Sequence, residues 1–421
     1  MKGLRIGFIA FAAALITFGL SGMAFAFHSG GVAECTGCHA LHEAASASNL
    51  LVQSDASSTC LSCHGASGAS SYHIATPDAD MPVGTPPGNR TPGGDFGWLK
   101  KGYQWVPRTG STSNSLAENH GHNVVAGDFG YIVDAVNETA PGGDMLSTEL
   151  ACTSCHDQHG KLRRSGTDAA PVWGVNQAAI IGSGSYYNSV EPAAGQAVGA
   201  YRLLRGTGSL PSTTAGNKMF TTIFNASAPS TYNRTEAVTP TRVGYGAGTT
   251  DWCATCHPDM LSATSTHTHP VNQGLGATVT ANYNAYKGSG DMTGVVATSF
   301  DSLVPFQTGV ETNYTVLKGL ANPASATIGQ GPISTDRVMC LSCHRAHATG
   351  WDYMLRFNVE GNEFIAVDGV WPGTDSPSTI ANQAKYAQGR TVAETTKAYN
   401  DTTMHYGSYQ RSLCNKCHAK D

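Results

Sequence analysis

Charged side chains are scarce in this chain of 421 residues: Asp, Glu, Lys and Arg make up 13% of it, and the formal net charge is −5. A sparse, net-negative surface excludes a nucleic-acid binder, which needs clustered cations. No long apolar run occurs beyond residues 6–20, so we expect no other segment to insert stably into a membrane. With 49 glycines as well, the composition is typical of a chain whose surface is partly covered by copies of itself.

The N-terminus has the three parts of an export signal. Residues 2–5 carry two basic side chains, residues 6–20 are apolar, and residues 24–26 read Ala-Phe-Ala, a small-x-small cleavage site. We predict a cleaved signal peptide over 1–26, export through the inner membrane, and a single domain over 27–421 with a net charge of −7, because −5 loses two positive charges. An uncleaved anchor is the alternative, since the apolar run is nearly long enough to span a bilayer.

No cysteine lies outside one repeated pattern. All twelve belong to six Cys-x-x-Cys-His motifs, the attachment signature of c-type haem. A single Cys-x-x-Cys could be a zinc knuckle or a redox dithiol, but six copies with histidine at the fifth place favour six covalently bound c-type haems. The haem-binding cysteines are Cys35, Cys38, Cys60, Cys63, Cys152, Cys155, Cys253, Cys256, Cys340, Cys343, Cys414 and Cys417.

The histidine that ends each motif is the expected proximal iron ligand. What lies on the opposite face of the iron decides the function, because an open position permits catalysis whereas a second strong ligand leaves only electron transfer. Sixteen histidines occur, so ten remain to close six irons. Methionine is the rival ligand, but none repeats at a fixed place near a motif, so we expect histidine on both faces and low reduction potentials. The proximal ligands are His39, His64, His156, His257, His344 and His418.

Three motifs extend to Cys-x-x-Cys-His-x-x-His and add His42, His159 and His347. Each second histidine lies on the proximal side of its own haem, so it cannot reach the far face of that iron, but it can reach a neighbouring haem. A three-residue tether between the ligands of two haems holds those haems close together. The spacing therefore predicts a closely packed row of cofactors with short electron-transfer distances.

The segments between the motifs are rich in turn-forming residues, as in 80–98 and 205–250. Helical spacing of apolar residues occurs only in short bursts, within 314–320 and 378–399, and strand alternation is weak. We predict a chain that is mostly coil and turn, with short α-helices and few strands, wrapped around a row of six haems that form its core. No internal repeat beyond the motifs is apparent.

Several stretches, including loops that contain no haem motif, have a distinctive sequence. They are FHSGGVAECTGCHALH, SYHIATPDADMPVGT, TPGGDFGWLKKGYQW, GHNVVAGD, SCHDQHGKLRR, STYNRTEAVTPTRVGYGAG, CLSCHRAHATG and YQRSLCNKCHAKD. Together they resemble the filament-forming hexahaem c-type cytochromes of metal-reducing bacteria. The resemblance covers nearly all of residues 27–421, with haem number and order matching, and is weakest in 43–59, 205–230 and 365–400.

The resemblance implies an extracellular filament in which every haem has two histidine ligands and the haems stack in a continuous line. It also implies that His42 binds the iron whose proximal ligand is His344, the fifth in chain order, in the adjacent subunit. The spacing alone shows only that His42 serves some haem other than its own. The implied partners are further copies of the chain, redox partner cytochromes and extracellular electron acceptors such as metal oxides.

The resemblance also sorts the ten histidines outside the motifs. His120, His267 and His405 fall outside the similar stretches, although His267 could replace His269 in the sequence His-Thr-His-Pro. Seven candidates therefore remain for six irons, and the sequence does not say which one is surplus. These candidate distal ligands are His28, His42, His73, His122, His159, His269 and His347.

Three functions compete. The first is an extracellular electron conduit that assembles head to tail, which we predict. The second is a monomeric periplasmic electron shuttle with the same haem chemistry, which differs only in its assembly. The third is a multihaem reductase, but such an enzyme needs an open iron, the Cys-x-x-Cys-Lys motif of nitrite reductases is absent, and the histidine supply allows every iron to be closed. We therefore predict that the chain is not an enzyme.

Overall fold

The computed structural model describes fifteen segments of the chain. They are 35–46, 49–65, 72–89, 91–107, 110–175, 178–212, 218–229, 243–261, 269–285, 305–309, 311–324, 332–358, 371–376, 386–399 and 415–418. The predicted signal peptide, His28, Cys414, His267 and His405 lie outside these segments, so their predicted roles stay predictions.

The helices are short, and three of them are single turns built on a Cys-x-x-Cys sequence. The longest described helix has ten residues. Local capping starts several of them: the Asp55 side chain accepts the N–H of Ser58 at 2.7 Å, and Thr391 and Glu394 form a reciprocal capping box. The helices are α1 (Cys35–Cys38), α2 (Ala56–His64), α3 (Cys152–Cys155), α4 (Thr249–Cys253), α5 (Gly276–Ala285), α6 (Tyr314–Ala321), α7 (Cys340–Cys343), α8 (Val392–Ala398) and α9 (Asn415–His418).

The strands are also short, with five residues at most among the described ones. They form a four-stranded sheet in the order β4-β3-β6-β5 and two isolated pairs, β1–β2 and β7–β8. In the larger sheet β3 is antiparallel to β4 and β6, and only β5 and β6 are parallel. The strands are β1 (Tyr103–Trp105), β2 (Ser113–Ser115), β3 (Leu162–Gly166), β4 (Pro171–Val175), β5 (Ala179–Ile180), β6 (Gln196–Gly199), β7 (Ala226–Ser227) and β8 (Gly244–Tyr245).

A buried ion pair joins the larger sheet to α6. Arg164 of β3 is fully buried, binds Asp168 Oδ1 at 2.7 Å and stacks on the ring of Tyr314, 4.2 Å from its centroid. Lys318 of α6 binds the other carboxylate oxygen of Asp168 at 2.6 Å. Breaking such a pair leaves an unpaired buried charge and typically costs about 3–5 kcal/mol.

Within the described segments, apolar side chains pack in three separate clusters of buried residues rather than in one core. One cluster contains Trp98, Trp351 and Trp371, and the partly buried Cys343 and Cys417 pack against it. The other two clusters include residues beside the motifs, such as Met339 and Leu61. Small separate clusters of this kind agree with a core made of haem groups, and the predicted fold class, mostly coil with short helices and few strands, is confirmed.

Two predicted helices fall in the described segments. The helix expected within 314–320 is present as α6, whose residues Tyr314, Leu317 and Ala321 are buried on one face. Within 378–399, the described residues are helical at Tyr386 and over Val392–Ala398, and residues 377–385 lie outside the described segments.

Candidate haem-binding sites

The described motifs fold into a turn that presents both thiols on one side. The N–H of the histidine donates to the carbonyl of the first cysteine, at 2.8 Å for His39, 3.0 Å for His156, 3.2 Å for His257 and 2.9 Å for His344. This bond closes a helical turn, in which residues three apart share a face. Thioether attachment to one haem requires that arrangement. None of the described cysteines forms a disulfide.

A backbone carbonyl orients the imidazole of five proximal histidines. Because only the ring nitrogen can donate to a carbonyl, Nδ1 carries the proton and Nε2 keeps its lone pair for a metal. Metal-binding histidines are commonly held in this way, which fixes the tautomer and the ring plane. The Nδ1–O distances are 2.9 Å for His39–Asn49, 2.7 Å for His64–Tyr72, 2.7 Å for His156–Arg202, 2.8 Å for His257–Pro141 and 2.6 Å for His344–Tyr353.

Four proximal histidines face a second histidine across a gap of nearly constant width. Two imidazoles that share one metal ion have centroids about 6 Å apart, because metal–nitrogen bonds are about 2 Å long and each ring atom lies about 1.1 Å from the ring centre. The observed gaps therefore have room for one iron each. The centroid distances are 6.4 Å for His39–His159, 6.5 Å for His156–His347, 6.1 Å for His257–His122 and 6.2 Å for His418–His269.

The partners in these pairs are candidate distal ligands, and two of them are held neutral by burial. Burial lowers the pKa of His122 to about 4 and that of His347 to about 3, with nearby histidines adding to the effect. A neutral imidazole keeps the lone pair that iron needs. His122 is also oriented by its own hydrogen bond, from Nδ1 to the carbonyl of Ala346 at 2.7 Å.

Two further predicted ligands sit differently. His73 lies close enough to His64 that burial, and then the His64 charge, lowers the pKa of His73. Its buried Nδ1 has no hydrogen-bond partner in the described part of the chain. His42 is exposed and, like His344, makes no ring contact with any described residue.

His120, which the sequence comparison sets aside, is a buried structural residue. Its Nε2 is hydrogen-bonded to Ser115 Oγ at 2.7 Å, and its Nδ1 donates to the carbonyl of Trp98 at 3.1 Å. With both ring nitrogens engaged, His120 has no lone pair to offer a metal.

Thiols of successive motifs are neighbours in space. The nearby Cys152 raises the pKa of Cys60, and the nearby Cys340 raises the pKa of Cys253. Burial and then the nearby Cys63 raise the pKa of Cys38, while burial and then Cys256 raise the pKa of Cys155 to about 12. The first five attachment sites therefore follow one another in chain order. The sixth is linked to the fifth through the aromatic cluster that Cys343 and Cys417 share.

The three Cys-x-x-Cys-His-x-x-His motifs share a second segment that sequence inspection missed. We define module A as residues 35–42 and 49–52, module B as 152–159 and 202–205, and module C as 340–347 and 353–356. The first carbonyl of the second segment accepts the proximal Nδ1–H, as described above. The second carbonyl, from Leu50, Leu203 or Met354, accepts the N–H that follows the proximal histidine, at 2.7, 2.7 and 2.8 Å.

The repeat continues through the rest of the segment. The third residue of the segment is leucine in all three modules, and its backbone forms an isolated antiparallel β-bridge with that of the proximal histidine. The pairs are Leu51–His39, Leu204–His156 and Leu355–His344. The second residue of the segment has a left-handed backbone, with φ of 52° at Leu50, 54° at Leu203 and 58° at Met354. In the sequence, the three second segments read Asn-Leu-Leu-Val, Arg-Leu-Leu-Arg and Tyr-Met-Leu-Arg. These residue types do not indicate a left-handed turn.

Zinc-type clusters are not found in the described segments, where no group of three or more His, Cys, Asp and Glu residues could hold a metal ion. The metal-binding geometry lies in pairs of histidines instead. Among the same residues, no helix combines the length and the apolar character needed to cross a membrane.

Comparisons with known proteins agree with this geometry. No protein-family model matches the chain. The chain is 47% identical to the c-type cytochrome OmcS of Geobacter sulfurreducens over 442 aligned residues, which cover both chains completely. Two structures of OmcS from that organism, one described as nanowires and one as a filament, superimpose with TM-scores of 0.79 and 0.81 at 44% and 46% identity, over 94% of this chain and all of theirs. Similarity at this level over the full length shows that the chain belongs to the OmcS family of c-type cytochromes.

Proposed function

We propose that the chain is a subunit of an extracellular filament that conducts electrons to external acceptors such as metal oxides. The single observation that carries the proposal is the order in which the histidine tethers connect the three modules. His159 of module B faces His39 of module A, and His347 of module C faces His156 of module B. Each module thus supplies a ligand position to the module before it.

Within the described part of one chain, the first and last modules of this series each lack one partner for such a histidine pair. Module A offers the exposed His42, and module C offers His344, which has no second ring among the described residues. If each module supplies a ligand to the module before it between copies as well, His42 of one copy binds the iron held by His344 of the next. A contact between different surfaces of identical chains does not close on itself unless a rotation closes a ring, so it propagates as a filament.

Exposed apolar side chains lie beside both ends of this series. Leu41, next to His42, is 82% exposed, and Tyr353, whose carbonyl holds His344, is 65% exposed. Large apolar groups at the surface mark contact sites. Burial of such groups between copies would contribute about 25 cal/mol for each Å² removed from water.

The chain's residues prepare six attachment sites. Each c-type haem supplies a reversible one-electron couple when it is bound. Paired histidines would close both faces of the iron in four sites, His73 or His28 would close the site of His64, and His42 of another copy would close that of His344. Closed irons bind no substrate, which supports an electron conduit over a reductase.

The filament would receive electrons from partner cytochromes and release them outside the cell. The export signal predicted over residues 1–26 would bring the chain through the inner membrane. The chain need not define a direction, because current follows the potentials of the donor and the acceptor at the two ends.

The decisive experiment is cryo-electron microscopy of the secreted protein together with the variant His42→Ala. Wild-type material should form filaments with density from His42 running to the haem of His344 in the next copy. His42→Ala should give discrete particles that still carry six haems, one of them without its second ligand. The neighbouring exposed residue provides the control, since Glu43→Gln should leave filaments intact. Filaments of normal length from His42→Ala would contradict the proposal and favour another contact.

A further inference from the structure

The fourth residue of the second segment differs in charge between the three modules. It is Val52 in module A, Arg205 in module B and Arg356 in module C. The three positions are structurally equivalent, because each N–H donates to the carbonyl of the second cysteine of its motif, at 3.0, 2.9 and 2.8 Å. Differences between them therefore act at the same distance from the attachment site.

Both arginines hold the Cys-x-x-Cys turn in the same way. Nε of Arg205 donates to the carbonyl of Thr153 at 2.6 Å, and Nε of Arg356 donates to the carbonyl of Leu341 at 2.6 Å. Thr153 and Leu341 each follow the first cysteine of their motif. Arg356 also approaches the carbonyl of His344 at 3.2 Å and is only 3% exposed. A cation therefore lies against the turn in modules B and C, while module A has a valine.

The residue directly after the proximal histidine adds a second difference. It is Ala40 in module A, Asp157 in module B and Arg345 in module C. Asp157 and Arg345 are both buried, with 7% and 5% of their surface exposed. At these two positions module A has no charge, module B has one of each sign, and module C has two cations.

We propose that these residues rank the reduction potentials of the three sites and make the site of module C the highest. A buried cation disfavours the more positive, oxidised state of a nearby iron, and burial weakens the screening by water and salt. The inference rests on the haem ligation proposed above. The sign of the potential shift expected when Arg356 is removed does not depend on its other contacts, because loss of a cation always makes the surroundings of the iron more negative.

The ranking gives one site in each subunit a special role. Module C is the module whose iron would take a ligand from the preceding copy in the proposed filament. An electron that moves along the filament would then dwell longest beside each subunit junction, and the site would act as a store as well as a relay.

The test is a potentiometric titration of purified filaments, followed by visible absorbance and by electron paramagnetic resonance. In Arg356→Met, about one sixth of the absorbance change, the share of one haem among six motifs, should move to lower potential. Arg356→Lys, which keeps the charge but not the planar fork, should leave that component in place. An unchanged curve for Arg356→Met, or the same shift for Arg356→Lys, would overturn the proposal.

A gain-of-charge variant keeps the test independent of folding problems at Arg356. Val52→Arg places the cation of modules B and C into the half-buried position of module A, and it should raise the potential of one sixth of the haem signal. No upward shift would refute the inference. A failure of the haem ligation itself would look different: the wild type would then lack the low-spin signal of two-histidine iron, whereas a wrong charge assignment leaves that signal intact and the curves unmoved.

Discussion

His159 faces His39 with the two imidazole planes only 8° apart and the ring centroids separated by 6.4 Å. The pair at the other end of the chain, His269 and His418, has a similar separation of 6.2 Å but planes that cross at 86°. Both gaps have room for one iron. The chain thus holds candidate ligands in both limiting orientations.

These orientations predict two kinds of spectrum. Parallel imidazoles split the iron d orbitals strongly and give a rhombic low-spin signal, while perpendicular ones leave the orbitals nearly equal in energy and give one very large g value. Electron paramagnetic resonance of the oxidised protein should show both signals. His159→Ala should remove a rhombic component and leave a high-spin one, and His269→Ala should remove the large-g component. The adjacent substitution Gln158→Ala should change neither, and loss of the large-g signal in His159→Ala would contradict these pairings.

The left-handed residue of each module predicts a sharp side-chain preference. Leu203 has φ of 54°, and β-branched side chains fit this region poorly. Leu203→Val should therefore lower the free energy of unfolding by about 1–2 kcal/mol and weaken the hold of the Arg202 carbonyl on His156. Leu203→Met should be tolerated, since Met354 occupies the equivalent place in module C. Melting curves followed by haem absorbance would compare the two variants, and equal melting temperatures would show that the turn carries no such strain.

Gly93 lies directly against a candidate ligand. A Cβ at this position would come within 2.7 Å of Nδ1 of His347, so Gly93→Ala should displace that ring from its place opposite His156. We expect one of the six haems to lose its low-spin spectrum. The control is Gly319→Ala, because Gly319 lies within α6 with nothing inside 4 Å of an added Cβ; it should stabilise the helix by roughly 0.5–1 kcal/mol. An unchanged haem spectrum in Gly93→Ala would rule out His347 as the ligand of this site.

The buried cluster of Ser115, His120 and Asp352 predicts loss of stability in acid. Burial opposes it, but polar contacts with His120 and Ser115 hold the pKa of Asp352 below its ordinary value of 3.8. A carboxylate of this kind stabilises the fold fully above its unfolded pKa and loses that contribution as the pH falls through the folded pKa. Burial also lowers the pKa of His120 from 6.5, so protonation costs stability from about that pH downward.

The melting temperature should therefore fall steadily below about pH 6.5, and the acidic part of the decline should flatten in Asp352→Asn. Asp80→Asn is the matched control, since Asp80 is exposed in the short turn Asp78–Asp80. A curve for Asp352→Asn that parallels the wild type below pH 4 would show that this carboxylate does not contribute.

The sequence predicts the haem attachment sites because each Cys-x-x-Cys-His motif consists of five consecutive residues. It also predicted that His159 and His347 serve other haems, since a three-residue spacing cannot reach round the iron. It could not say which haems, because His39 and His159 meet through contacts between segments more than a hundred residues apart. The second segments of the modules could not be predicted for another reason. They act through backbone carbonyls and through left-handed φ angles at Leu50, Leu203 and Met354, and these residue types do not indicate such a backbone.

In the proposed series of histidine pairs, His42 and the iron of His344 find their partners only in other copies, and this affects isolated chains and filament ends. If His42 binds the iron of His344 in the next copy, a filament of any length has one terminus where that iron lacks its second ligand and another where His42 has no iron. The first terminus is the place where a small diatomic ligand such as carbon monoxide could bind. Carbon monoxide uptake would then count filament ends, and the ratio of uptake to total haem would measure the mean length of the polymer.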